Sequence, residues 1–211
     1  MVPLHNESVG EDPFQDCPEI IDGAVVIFSV TLDIIRHMHA PATRLFTDGK
    51  EQTWFHGLVI ARYGRDAYDG DVYLFYCDAK WHVANELCFA TIEDAVIEAF
   101  RQFGVLRSDW EAVAWAFDQT PNTATLSTAP VFRSGRPILF AQHFEDDHSW
   151  LFSCGTTAAA EDSLLVGMKE VLRRDPTVAF ISDLPPGGIA ERASMDSPWI
   201  VRNGRSNAMG N

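Results

Sequence analysis

Apolar and polar positions along the chain change rhythm several times, and each change marks an element. The run AVVIFSV (24–30) is β-rich, and TLDIIRHMH (31–39) after it is spaced for a short helix stopped by Pro41. GLVIARY (57–63) and DVYLFYC (71–77) read as strands joined by the loop GRDAYDG. DAK (78–80) turns the chain into a third strand, WHVANELCF (81–89), where Trp81, Val83 and Leu87 share one face at period two. Thr91 opens a helix, with Asp94 three residues on as its capping partner. Ile92, Ala95, Val96, Ala99, Phe100 and Phe103 fall on one helical face, and Gly104 ends the helix. SDWEAVAWAF (108–117) has the composition of a second short helix.

The pattern then lapses. DQTPNTATLSTAP (118–130) is rich in Thr, Ser, Asn and Pro and reads as a linker. Beyond it RPILFAQHF (136–144) and SWLFSC (149–154) are strands, SLLVGMKEVLRRDP (163–176) ends in a helix, and IAER (189–192) and PWIVR (198–202) form a closing strand pair. The expectation is an α+β protein of two small modules, 20–117 and 131–203, joined by 118–130. Each is an antiparallel sheet packed against one or two helices. Residues 1–19 read as an irregular lead-in, and the polar tail after 203 as a fraying end.

Charge adds an asymmetry that the pattern does not show. The net charge is −14, from 16 basic and 30 acidic residues. Residues 1–118 hold 8 Lys/Arg against 20 Asp/Glu, or −12, and residues 119–211 hold 8 against 10, or −2. Such a surface repels phosphate backbones and suits a basic protein partner. The first residues lack the basic and apolar regions of a secretory signal, and the apolar runs of about seven residues are far short of the ~20 that span a bilayer. A soluble cytoplasmic protein, with no membrane or nucleic-acid partner, is therefore expected.

The four cysteines, Cys17, Cys77, Cys88 and Cys154, have no zinc or CxxC spacing and read as reduced, mostly buried thiols. Cys77 and Cys88 lie at opposite ends of one hairpin and cannot bridge. No phosphate loop, dinucleotide fingerprint or zinc-protease motif is present, so no cofactor is expected.

HFEDDHSW (143–150) is the stretch richest in chemistry-bearing side chains. His143, Glu145, Asp146, Asp147 and His148 include metal-ligand types. Strand alternation scatters them around a turn, which makes a solvated hairpin tip the simpler reading. HxE at 143–145 lacks the downstream PCxxC of zinc deaminases. Cys154, with His143 or His148 on the neighbouring strand, is the one candidate nucleophile pair, and it has no identifiable third member. His37 and His39 suit the end of a helix through its dipole. Among the six tryptophans, Trp54 and Trp110 stand in polar surroundings and are candidate contact residues, whereas Trp150 and Trp199 read as core.

Residues 136–202 resemble a group of bacterial domains found among immunity proteins of polymorphic toxin systems. The first matching block is Ser149, Trp150, Phe152 and Gly155; the second is Asp183, Pro185, Gly188, Ala190, Glu191 and Arg192. The chain departs from that pattern at His148-Ser149, where the group often has Asp-Gly or Ser-Gly. The resemblance implies binding rather than turnover: a non-catalytic protein that neutralises a cognate toxin, expected to be basic, by direct contact. The acidic first half is the natural contact face, with Asp66, Asp69, Asp71, Asp109 and Glu111 as expected contacts beside Trp54 and Trp110. The alternative is a hydrolase-like enzyme or small-ligand sensor using Cys154 with His143 or His148.

Overall fold

The computed structural model describes residues 16–37, 45–47, 49–52, 54–64, 71–156 and 160–203. The fold is α+β, built on two six-stranded sheets. The first half supplies β1 (Ile20–Ile21), β2 (Ala24–Thr31), β3 (Leu45–Thr47), β4 (Lys50–Gln52), β5 (Gly57–Arg62), β6 (Val72–Cys77), β7 (Val83–Phe89), α1 (Ile92–Phe103) and β8 (Glu111–Ala112). β1, β2, β5, β6 and β7 form an antiparallel sheet in that order, with β8 also paired to β2; β3 and β4 form a separate hairpin. The second half supplies β9 (Ala124–Thr128), α2 (Ala129–Arg133), β10 (Phe140–His143), β11 (Trp150–Ser153), β12 (Ser163–Gly167), α3 (Met168–Arg174), β13 (Gly188–Glu191) and β14 (Ile200–Asn203). Its sheet order is β12-β9-β11-β10-β13-β14.

Two bulges decide which side chains face where on the first sheet. The β2–β5 register shifts between Val26 and Phe28, leaving Ile27 as the extra residue. Without it, Ala24, Val26, Phe28 and Val30 would share a face. With it, Ala24 and Val26 pack into a cluster with Val59, Ala61 and Phe75, while Phe28 and Val30 join the main core on the other side. Ser29 and Thr31 are thereby turned to the Val59 side, opposite Val59 and Gly57. A second shift, between Tyr76 and Cys77 against β7, breaks the expected period-two face of Trp81, Val83 and Leu87. Trp81 and Val83 belong to the Val59 cluster and Leu87 to the main core.

α1 follows its pattern closely. Thr91 accepts a hydrogen bond from the Asp94 amide, and Gly104 closes the helix at φ 70°. Phe100 is the exception: it is 56% exposed, while Glu93 and Gln102 are buried instead. Gln102 accepts from the Tyr76 hydroxyl at 3.2 Å, and Glu93 enters a charged seam between the sheets. Glu93 pairs with Arg107, accepts from the Trp199 amide at 3.0 Å and so ties α1 to the second half. Asp183 accepts from the Ile92 amide at 2.8 Å at the start of α1 and faces Arg62 at 3.3 Å. Phe28 meets Phe180 edge-on at 5.0 Å, and one continuous hydrophobic core includes residues of both sheets.

Three expectations are corrected. Residues 118–130 are not a bare linker: they contain β9, an interior strand that pairs antiparallel with β12 and, through Leu126 and Leu151, parallel with β11. Its alternating Thr and Ser are buried because Thr125 and Ser127 donate to the Trp150 and Phe152 carbonyls, both at 2.7 Å. Residues 108–117 form no second helix; they continue from a short 3-10 turn at Arg107–Asp109 into β8. β2 runs on to Thr31, and the helix expected from 31 is a single turn near 34–36; His39 and Pro41 lie outside the described residues.

Candidate functional site

The bulged β2, the turn that follows it and the segment entering β8 enclose a polar cleft of about 360 Å³. Ser29 and Thr31 form its floor, turned there by the Ile27 bulge. Glu111 sits opposite Ser29 on β8 and points to the same face. Asp16, Cys17, Arg36, His37, His56, Ser108 and Asp109 complete the lining. Among the described residues, three carboxylates line the cleft against one cation.

The turn before the cleft is built by Asp33. Its carboxylate accepts from the Ile35 amide at 2.7 Å and the Arg36 amide at 3.2 Å, an Asx turn. Its own amide donates to His37 Nδ1 at 2.7 Å. This places the His37 proton on Nε2 and overturns the expected helix-end role, since the ring caps an amide at the start of the turn. His37 is 3% exposed, and its Nε2 has no hydrogen-bond partner among the described residues. It faces Asp109 Oδ2 at 3.5 Å, an oxygen that also accepts from the Leu106 amide at 2.8 Å. Asp109 Oδ1 holds the exposed Arg36 guanidinium at 2.5 Å. Burial opposes ionisation of Asp109, but the Leu106 amide, Arg36 and His37 outweigh it and hold its carboxyl below the usual range.

Trp81 forms the remaining wall and is held under strain. Its φ is 62°, an unusual value for a bulky residue. Asp78 enforces it, because its carboxylate accepts from the Lys80 and His82 amides while the Trp81 amide donates to the Asp78 carbonyl. The indole lies over Gly57, where a Cβ would come within 2.6 Å of Cζ3 and 2.9 Å of the Val30 carbonyl. His56 meets the indole edge-on at 5.5 Å. Cys17 in the cleft is a poor nucleophile, its thiol pushed up to about 11 by burial despite a Ser29 hydrogen bond.

The expected contact residues divide on this geometry. Asp109 and Glu111 line the cleft. Asp71 is described but does not line it, and Asp66 and Asp69 lie outside the described residues. Trp54 is 40% exposed, whereas Trp110 is buried at 8% and is no surface contact. Trp115, at 36%, is the more exposed residue of that segment. Sequence reasoning missed Arg36, His37 and Trp81 as one site. Asp33 with His37 at four-residue spacing, and Asp78 at the turn before Trp81, were the available signals.

The His143 corner is a separate place. His143 Nδ1 donates to the Leu184 carbonyl at 2.7 Å, and its ring stacks on Trp150 at 4.3 Å and 11°. His148, at φ 56°, approaches edge-on at 5.9 Å. Glu145, Asp146 and Asp147 are exposed around the turn, where Asp147 accepts from the Ser149 amide. No cluster of three or more metal-ligating side chains occurs among the described residues. His143 pairs with Trp150, while Ser153, just before Cys154, pairs with Phe140. Four residues of strand therefore separate Cys154 from His143, about 13 Å. Cys154 instead meets the Thr156 hydroxyl at 3.0 Å. Burial raises its pKa, but hydrogen bonds from Thr156 lower it further, for a net decrease.

All four cysteines are free, with Cys77 and Cys154 buried, Cys17 partly buried and Cys88 exposed. No helix among the described residues is long and apolar enough to cross a membrane. Comparison with known protein families, curated proteins and solved structures finds no match to this chain.

Proposed function

We propose that this protein is a non-catalytic binding protein whose acidic first half docks a basic partner, and that it acts as an immunity protein blocking a cognate bacterial toxin. The observation that carries the reading is the cleft. Among the described residues, its carboxylates Asp16, Asp109 and Glu111 line the cleft with one cation, Arg36, and its walls are fixed in place by Asx turns and a strained tryptophan. A rigid acidic concavity gains speed and selectivity with a positively charged surface and loses little entropy on binding. The −12 charge of residues 1–118 extends the same field, and the resemblance of residues 136–202 to immunity domains supplies the biological setting.

The enzyme alternative has weaker support. The strand spacing keeps Cys154 away from His143, and Cys17 is held as a thiol. The test is coexpression with the product of the neighbouring upstream gene. Rescued growth and a complex that copurifies are expected; toxicity unchanged by coexpression, with no complex, would reject the reading.

A further inference from the structure

We infer that β12 is a docking edge for a second copy of this chain, paired antiparallel about a two-fold axis at Leu165. Among the described residues only β9 pairs with β12, which leaves its other edge open. The register fixes which groups that edge presents. The Met168 amide donates to the Thr123 carbonyl at 2.9 Å, one step beyond the Gly167–Ala124 pair. Hydrogen-bonded positions alternate along an antiparallel ladder, so Val166 and Leu164 bond to β9. Ser163, Leu165 and Gly167 therefore turn their N–H and C=O groups outward.

This edge is complementary to itself. About an axis at Leu165, Leu165 meets Leu165 of the second copy and Ser163 meets Gly167, and each pair exchanges two backbone hydrogen bonds. A slip of two residues loses one such pair. Glu161 stands two residues before the strand and Lys169 two residues after it, so antiparallel pairing sets each carboxylate at the end where the other copy has its ammonium. Sheet edges are commonly guarded by charge or proline. β7 carries Glu86 and β14 carries Arg202, whereas β12 carries neither a charge nor a proline. Leu165 is 73% exposed and stands beside Leu126, which stands beside Leu151. Trp150 and Phe152, flanking Leu151, are buried, so the leucine row lies on the face turned away from the core. Pairing at Leu165 continues this row across the axis into its copy. The whole chain at −14 repels a second copy, but residues 119–211 hold only −2 of that charge. β12 is five residues long, which makes the contact smaller than a standard interface of about 800 Å² per partner, and association in the micromolar range is expected.

The test is sedimentation equilibrium of the whole protein, of Leu165→Lys, of Leu165→Glu and of an equimolar mixture of the two variants. The parent is expected to pass from monomer to dimer as its concentration rises to about 300 µM. A residue on the two-fold axis faces itself, so either substitution sets like charges against each other and should weaken the dimer at least about tenfold. The mixture sets Lys against Glu and should recover association to within about threefold of the parent. Leu165 is exposed, so both variants should keep the fold, and recovery in the mixture itself requires folded components. A parent that stays monomeric at about 300 µM, variants that dimerise as the parent does, or a mixture no stronger than its components would each overturn the inference.

Discussion

The seam between the sheets and the cleft on the far face of the first sheet are both built from charged residues, and they treat charge in opposite ways. The seam and the second half behind it answer nearly every charged group, Arg62 Nε being an exception among the described residues. Arg192 uses all five N–H donors: Nε and Nη2 reach the Ile138 carbonyl, Nη1 reaches Thr177 Oγ1 and the Met195 carbonyl, and Nη2 also meets Asp175. Its guanidinium also lies 4.2 Å over the Trp199 ring. In the cleft, carboxylates outnumber cations among the described residues, a buried imidazole N–H has only a long contact to Asp109, and a tryptophan is held at positive φ. Saturated charge fixes a structure, and unsaturated charge invites a partner.

The seam is where the comparison breaks most heavily. Arg192→Ala leaves Asp175 buried and unpaired, and a loss of about 3–5 kcal/mol in urea unfolding is expected. A loss below about 1 kcal/mol would mean that the Arg192–Asp175 pair is incidental to the stability of the second half. Gly57→Ala comes next, because the added methyl collides with the Trp81 ring and the Val30 carbonyl. About 1–3 kcal/mol is expected, with a shift in indole fluorescence as Trp81 is displaced. An unchanged spectrum would show that Trp81 is not held against Gly57.

Acid separates the two regions by sign. Backbone hydrogen bonds hold the Asp33 carboxyl below the usual range, and Asp109 is held below it despite burial. The folded state therefore binds fewer protons at these groups than the unfolded state. Their contribution is full above about pH 4 and is lost as pH falls through the folded values. Asp183 in the seam runs the other way: burial raises it, against the Ile92 amide and Arg62. Its protonation on acidification favours the folded state. Asp183→Asn should therefore make the acid loss of stability steeper than in the parent, and an equal or shallower loss would refute the assignment.

The smallest effect is kinetic. Exposed Cys88 should be alkylated by iodoacetamide well before buried Cys77, with no change in unfolding midpoint. Equal rates would show that the first sheet opens on that timescale.

Much of this fold was legible where local pattern and tertiary packing agree. The hairpin of β5 and β6, the Thr91 cap and the Gly104 stop all follow from spacing and residue type. Legibility failed where one residue changes parity. The Ile27 bulge leaves no mark in AVVIFSV, yet it alone turns Ser29 and Thr31 into the cleft. β9 was hidden for a different reason. A strand whose buried face is Thr125 and Ser127 looks like a linker until the carbonyls of Trp150 and Phe152 are seen to satisfy it. The charged seam was hidden too, because Glu93 reads as a solvent-facing helix residue until Arg107 and Trp199 are brought beside it. As for the cleft, Asp109 and Glu111, singled out by charge, line it, but Trp110 was misplaced because polar sequence neighbours do not determine exposure.

The most direct test of the central claim is the affinity of the proposed toxin partner, sought as the product of the neighbouring upstream gene, for the parent protein and for the double variant Asp16→Lys, Glu111→Lys. Both positions are exposed on the cleft rim, so the unfolding midpoint should stay where it is. The acidic-cleft account predicts at least a tenfold loss of affinity, about 1.4 kcal/mol, with a shallower salt dependence. Equal affinity for the two proteins would contradict it.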